Sequence, residues 1–154
     1  MSLTLSSSDK KILSALQRDT SLNSRDLAEK LNMSQSTLWR RVNELEKSGL
    51  IKKRVALLDP DKLGVTICVF VNISLKNHTT QDREEFQNFV LTIPEIVECF
   101  SVTGTHDYTL IVKTHSMTRF ETLLMHSILT HASVASASSQ VALRQHKYST
   151  ELPL

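Results

Sequence analysis

Two short stretches carry residues whose types and spacing suit nucleic-acid chemistry. Ser34, Gln35, Ser36, Thr37, Trp39, Arg40 and Arg41 fall within eight positions, and Lys52, Lys53 and Arg54 follow as adjacent cations. Short polar groups at the start of a helix suit the hydrogen-bonding edges of bases, and arginines suit guanine or phosphate. Three neighbouring cations suit the duplex backbone, where contacts position a protein and make its affinity depend on salt. A third stretch, Gly104-Thr105-His106-Asp107-Tyr108, joins a turn-forming glycine to a carboxylate and a phenol. Its backbone N–H groups and Asp107 suit a small ligand carrying an ammonium group. The same residues equally suit a hairpin made by Gly104, capped by Asp107 and packed at a subunit seam by Tyr108.

The elements that must hold these groups follow from periodicity. Ser8 or Asp9 is expected to cap a first helix with Ile12, Leu13 and Leu16 inward. Ser24 is expected to cap a second, with Leu27, Ala28 and Leu31 on one face. Ser34 caps a third, which turns Leu38, Val42 and Leu45 inward and ends before Gly49. Three short helices with a tight turn at Asn32-Met33 form a helix-turn-helix, with Trp39 expected against a neighbouring helix. Leu50 to Pro60 then reads as a small hairpin, or wing, carrying Lys52, Lys53 and Arg54.

Residues 61–64 read as a joint, so the chain divides into a DNA-binding domain over 1–60 and a second domain over 61–154. Thr66 to Leu75 alternates, with Ile67, Val69, Val71 and Ile73 on one face and Cys68, Phe70, Asn72 and Ser74 on the other. Helix is expected over 80–91, strand over 96–103 and 107–114, helix over 117–129, and a last strand over 134–144. The order strand, helix, strand, strand, helix, strand gives an α+β chain: a winged helix-turn-helix followed by a ferredoxin-like βαββαβ domain. Both helices would cover the Val69-Val71 face, and the Cys68-Phe70 face would pair with a second copy. Such a homodimer sets two heads in the two-fold relation of a palindromic site.

Charge agrees with this division. Through Gly64 the chain has 12 Lys and Arg against 8 Asp and Glu, and thereafter 6 against 8; all six histidines lie in the second part. The basic excess therefore sits with the helices that would meet phosphate. Cys68 and Cys99 have no framework spacing and read as free thiols. With no export signal at the start and no apolar run of membrane length, the expected setting is the cytoplasm. His126 and His131 are not at metal-site spacing with a cysteine, and no catalytic motif occurs, so neither a metal, a cofactor nor an enzyme is expected. Two alternatives remain open: a metal-responsive regulator, and an amino-acid-binding or assembly protein with weak DNA binding.

The chain resembles the leucine-responsive regulator/asparagine-regulator family of bacterial and archaeal transcription factors, over essentially its whole length. The marks are Asp9-Lys-Lys-Ile-Leu, Leu27-Ala-Glu-Lys-Leu, Ser34 leading to Arg40-Arg41-Val42, Leu45 through Ile51, and Ala56 through Pro60. Gly104-Thr105-His106-Asp107-Tyr108 matches the family's glycine, two variable positions, aspartate and tyrosine. The resemblance implies an amino-acid effector held at this turn, and assembly of dimers up to an octamer around which DNA wraps. Ser6 stands where the family commonly has aspartate, His106 where it often has an aromatic, and Ala132-Ser133-Val134 where Pro-Gly-Val is frequent. The residues from His146 to Leu154 resemble a branch with members responding to sulfur-containing or branched-chain amino acids.

Overall fold

The computed structural model of the chain describes residues 5–154, in two compact units. One runs to Leu57 and includes Lys147–Leu154; the other is Leu58–His146. The tail, expected with the second domain, belongs instead with the first.

In the first unit, α1 (Ser7–Arg18), α2 (Ser24–Lys30) and α3 (Gln35–Lys47) bury Ile12, Leu13, Leu27, Ala28, Leu38 and Leu45. Two caps lie one or more positions before those expected. Ser6, not Ser8 or Asp9, caps α1: its hydroxyl accepts the Asp9 N–H at 3.1 Å, while the Asp9 carboxylate accepts the Ser6 N–H at 3.2 Å. Asp9 is better used three residues inside the helix, closing a reciprocal capping box. Asn23, not Ser24, caps α2 by accepting the N–H groups of Arg25 and Asp26 at 3.0 and 2.9 Å. Ser34 caps α3 as expected, through the Thr37 N–H. In the turn between α2 and α3, Asn32 takes a left-handed φ of 52°, which a short polar side chain tolerates.

The expected wing hairpin is not formed. Residues 52–58 are exposed and belong to no strand ladder among the described residues. Lys52-Lys53-Arg54 contains no residue suited to a tight turn, and Arg54 instead reaches back to Glu46 on α3 at 2.8 Å. The first turn signal comes later, where the Asp59 carboxylate accepts the Asp61 N–H at 3.0 Å.

The second unit is a four-stranded antiparallel sheet in the order β2-β3-β1-β4, built from β1 (Ile67–Leu75), β2 (Ile96–Ser101), β3 (Tyr108–Thr114) and β4 (Val134–Val141). Register sets Val69 opposite Val112, Val71 opposite Leu110 and Ile73 opposite Tyr108, so one face is continuously apolar. Phe86 and Val90 of α4 (Thr80–Leu91) and Phe120 and Leu123 of α5 (Met117–Leu123) cover that face. Each such side chain contributes roughly 1.5–3 kcal/mol on full burial. The helix expected over 117–129 is α-helical only to Leu123. It continues as a π-turn over Leu124–Ile128, closed by the Leu129 N–H on the Leu124 carbonyl at 2.9 Å. Cys68 and Cys99 lie on β1 and β2, which are separated by β3, and both are free thiols. Among the described residues no helix is long and apolar enough to cross a membrane.

Candidate functional site

The head presents its polar groups at the start of α3. Ser34 and Thr37 are partly committed to the helix end, their hydroxyls 2.8 Å apart, with the Ser36 hydroxyl 3.2 Å from that of Ser34. Gln35, Ser36 and Trp39 are exposed and, with Ser24, line a shallow hollow of about 340 Å³. Trp39 is 65% exposed and does not pack on a neighbouring helix as expected. Leu38 and Val42 fill the inward stripe, which leaves the adjacent position on the solvent side. Arg40 is exposed, paired one turn along to Glu44 at 2.7 Å.

Arg41 has a different setting from Arg40. Its guanidinium lies 2.9 Å from Asp9 on α1, with both side chains largely covered. Hydrogen bonds from Ser6, and then from Arg41, hold the Asp9 carboxyl below the usual carboxylate range against the opposing effect of burial. Arg41 thus fastens α3 to α1, whereas Arg40 stands on the open surface. Lys52 and Lys53 are exposed, and Arg54 is held by Glu46. The arrangement offers a planar aromatic, polar groups and an exposed cation on one helix start, with further cations after the helix.

In the second unit, Gly104 has a φ of +119°, a conformation strained for any residue with a Cβ. A Cβ there would meet nothing within 4 Å, so backbone geometry rather than space calls for glycine. Thr105 is exposed, and His106 Nδ1 lies 3.2 Å from the Ser74 hydroxyl. Asp107 is a junction: its N–H donates to the Ile73 carbonyl at 2.8 Å, and one carboxylate oxygen accepts the Leu75 N–H at 2.8 Å. The other oxygen lies 3.2 Å from His78 Nδ1. Tyr108 is buried against Phe86, ring centres 4.8 Å apart, and its hydroxyl accepts from Gln87 at 3.2 Å. Its ring is in the core beneath α4, so the reading of Tyr108 as packing at a subunit seam is not met. Ser74, His78 and Gln87, the partners of this turn, were not among the expected site residues; lying some 21 to 32 positions away, they give no local signal.

The sheet face away from the helices carries Phe70 and Phe100, 39% and 49% exposed, around a Thr109–Asn72 hydrogen bond of 2.8 Å. Among the described residues no three His, Cys, Asp or Glu side chains converge as a metal site. His131 packs against Phe89 with the rings tilted and their centres 4.4 Å apart.

A helix-turn-helix head with exposed polar and cationic groups, followed in the chain by a ferredoxin-like domain, has the architecture of a DNA-binding protein. Residues 5–52 match the winged helix-turn-helix DNA-binding family, and residues 68–152 match the Lrp/AsnC ligand binding domain. The chain is 32% identical over 146 residues to the DNA-binding transcriptional activator DecR of Escherichia coli, covering 95% of this chain and 96% of DecR. It is 35% identical to the glutamate uptake regulatory protein of Zymomonas mobilis, covering 95% and 88% of the two chains. A solved transcriptional regulator of Neisseria meningitidis in complex with L-methionine superposes with a TM-score of 0.94 at 33% identity, over 97% of each chain. The chain belongs to the Lrp/AsnC family of transcriptional regulators. It is a sequence-specific, ligand-modulated DNA-binding regulator.

Proposed function

We propose that this regulator answers to a free amino acid with a sulfur-containing or branched aliphatic side chain, methionine first. The observation that carries this reading is the similarity to the Neisseria meningitidis regulator with L-methionine, at 33% identity over 97% of both chains. The ligand is taken at the turn from Gly104 to Tyr108. Gly104, Thr105 and His106 supply backbone and polar contacts, and Tyr108 supports the turn from the core. The Asp107 oxygen now facing His78 marks a place where an α-ammonium group finds its counter-charge.

Gln35, Ser36, Trp39 and Arg40 read the operator in the major groove, from a helix start shaped by Ser34 and Thr37. Arg41 sets the angle of that helix, and Lys52, Lys53 and Arg54 contact phosphates. The exposed Phe70 and Phe100 face pairs two chains, and dimers assemble further to an octamer. The protein acts in the cytoplasm, where its DNA target lies and where free thiols such as Cys68 and Cys99 persist. The functional division is residues 1–60 for DNA and 61–146 for effector and assembly, with the tail 147–154 grouped with the head. A thermal-shift screen of the amino acids tests the effector reading, because a ligand of the folded state raises the midpoint by mass action. Methionine or a branched-chain residue is expected to stabilise the chain; stabilisation by none of them would overturn it.

A further inference from the structure

We propose that residues 147–154 are a strap, a reversible second tether that restrains the DNA-binding head. The chain leaves the head near Leu57, forms the second unit up to His146, and then contributes its last residues to the head again. The attachment is specific. The Gln17 side chain engages both backbone groups of Leu152, accepting its N–H at 2.6 Å and donating to its carbonyl at 3.2 Å. One residue along α1, Arg18 donates to Glu151 at 2.8 Å. Glu151 is itself part of the wall of an open groove of about 900 Å³ whose other charged side chains are the cations Lys10, Lys11, Arg18, Lys30 and Lys147, so its charge is opposite to that of its surroundings.

The same contacts are built to let go. Arg18 and Glu151 side chains are 69% and 36% exposed, and Leu152 is 69% exposed. An ion pair this wet is screened by salt, and the strap buries no large side chain in the head core. None of residues 34–41 lines the groove, so the strap leaves the recognition surface open. It acts by restraint. With one connection, a head samples many orientations; a second connection removes much of that freedom and raises the effective concentration of the correctly placed head. In a dimer, restrained heads favour one spacing of half-sites, and released heads accept several. Gln17 and Arg18 are therefore positioning residues, which touch no DNA. This inference rests on the reading of the protein as a dimeric DNA-binding regulator.

The test uses the full chain, a half-site sequence enriched from a random duplex pool, and duplexes bearing one half-site or two at varied spacing. Arg18→Glu and, separately, Glu151→Arg are expected to bind the single half-site as the parent does. Each should lose about threefold of the parent's preference for its best spacing over the next. The double variant Arg18→Glu/Glu151→Arg restores the pair with its signs exchanged and should recover the preference. Gln17→Ala, which leaves every charge in place, should also relax it. Unchanged spacing preference in both single variants, or no recovery in the double variant, would overturn the strap. Failure of the parent to discriminate any enriched duplex from a scrambled one would instead overturn the DNA-binding reading beneath it.

Discussion

Arg41 on α3 and Asp9 in the first turn of α1 lie 2.9 Å apart, and Asp9 simultaneously closes the cap on its own helix. One carboxylate thus fixes both the start of α1 and the seating of α3. Asp9→Asn is expected to cost about 1 kcal/mol at neutral pH. Because the folded-state acidity is shifted downward, this contribution is full above the ordinary carboxylate range and is lost as pH falls through the lowered value. Urea unfolding of the parent and variant should therefore differ at pH 7 and converge as pH drops below about 4.

Arg40 and Arg41 are neighbours in sequence with separate expected effects. Arg40→Ala should leave the unfolding midpoint almost unchanged, since an exposed pair one helical turn apart contributes roughly 0.3–0.5 kcal/mol. Its loss of operator affinity should be about 1–3 kcal/mol, with relaxed discrimination at one base position. Arg41→Ala should instead lower both stability and affinity. Anisotropy titrations beside thermal melts separate the two patterns.

Lys52→Ala should weaken binding to every duplex similarly. The slope of log affinity against log salt should fall by about 1, as for one phosphate contact removed. A change confined to the operator would assign Lys52 to base reading.

Asp107 supports the fold as well as the proposed ligand contact. Asp107→Ala leaves the Leu75 N–H without its acceptor and should cost about 1–3 kcal/mol in the free protein. The amino-acid-dependent rise in midpoint should disappear with it. His78→Ala keeps the Leu75 bond and should retain both stability and the ligand response. Differential scanning fluorimetry with and without the amino acid reads all four values.

The two faces of the sheet supply a further contrast. Phe100→Asp places a charge on the proposed pairing surface and should shift the dimer toward monomer in sedimentation, with little loss of fold. Leu110→Ala, on the opposite face and fully buried, should cost about 2–5 kcal/mol through the cavity it leaves.

Much of this architecture was legible because apolar spacing reports which face an element buries. The helix expected over 80–91 is α4, and the alternation in β1 correctly separated the Val69-Val71 face from the Cys68-Phe70 face. Caps were displaced because Ser, Asn and Asp compete for the same role over a few positions, as at Ser6 to Asp9 and Asn23 to Ser24. The π-turn after Leu123 was not legible, since a helix with an inserted residue shows nearly the same apolar pattern. The wing was expected from flanking apolar residues, yet a hairpin also needs turn chemistry, which Lys52 to Arg54 lack. At the turn, Gly104 and Asp107 were identifiable, but the partners of Asp107 on and after β1 were not. The strap was invisible for the same reason, its bonds to Gln17 and Arg18 spanning 135 and 133 positions.

The central claim is that one chain both reads a DNA sequence and changes that reading when an amino acid binds. Titration of the enriched duplex and a scrambled duplex, at two salt concentrations and with or without L-methionine, tests it most directly. The account predicts at least about a 10³-fold preference for the enriched duplex at physiological salt. It further predicts a shift of about fivefold or more when the amino acid is added. Equal affinity for the two duplexes at both salt concentrations, unmoved by the amino acid, would contradict it.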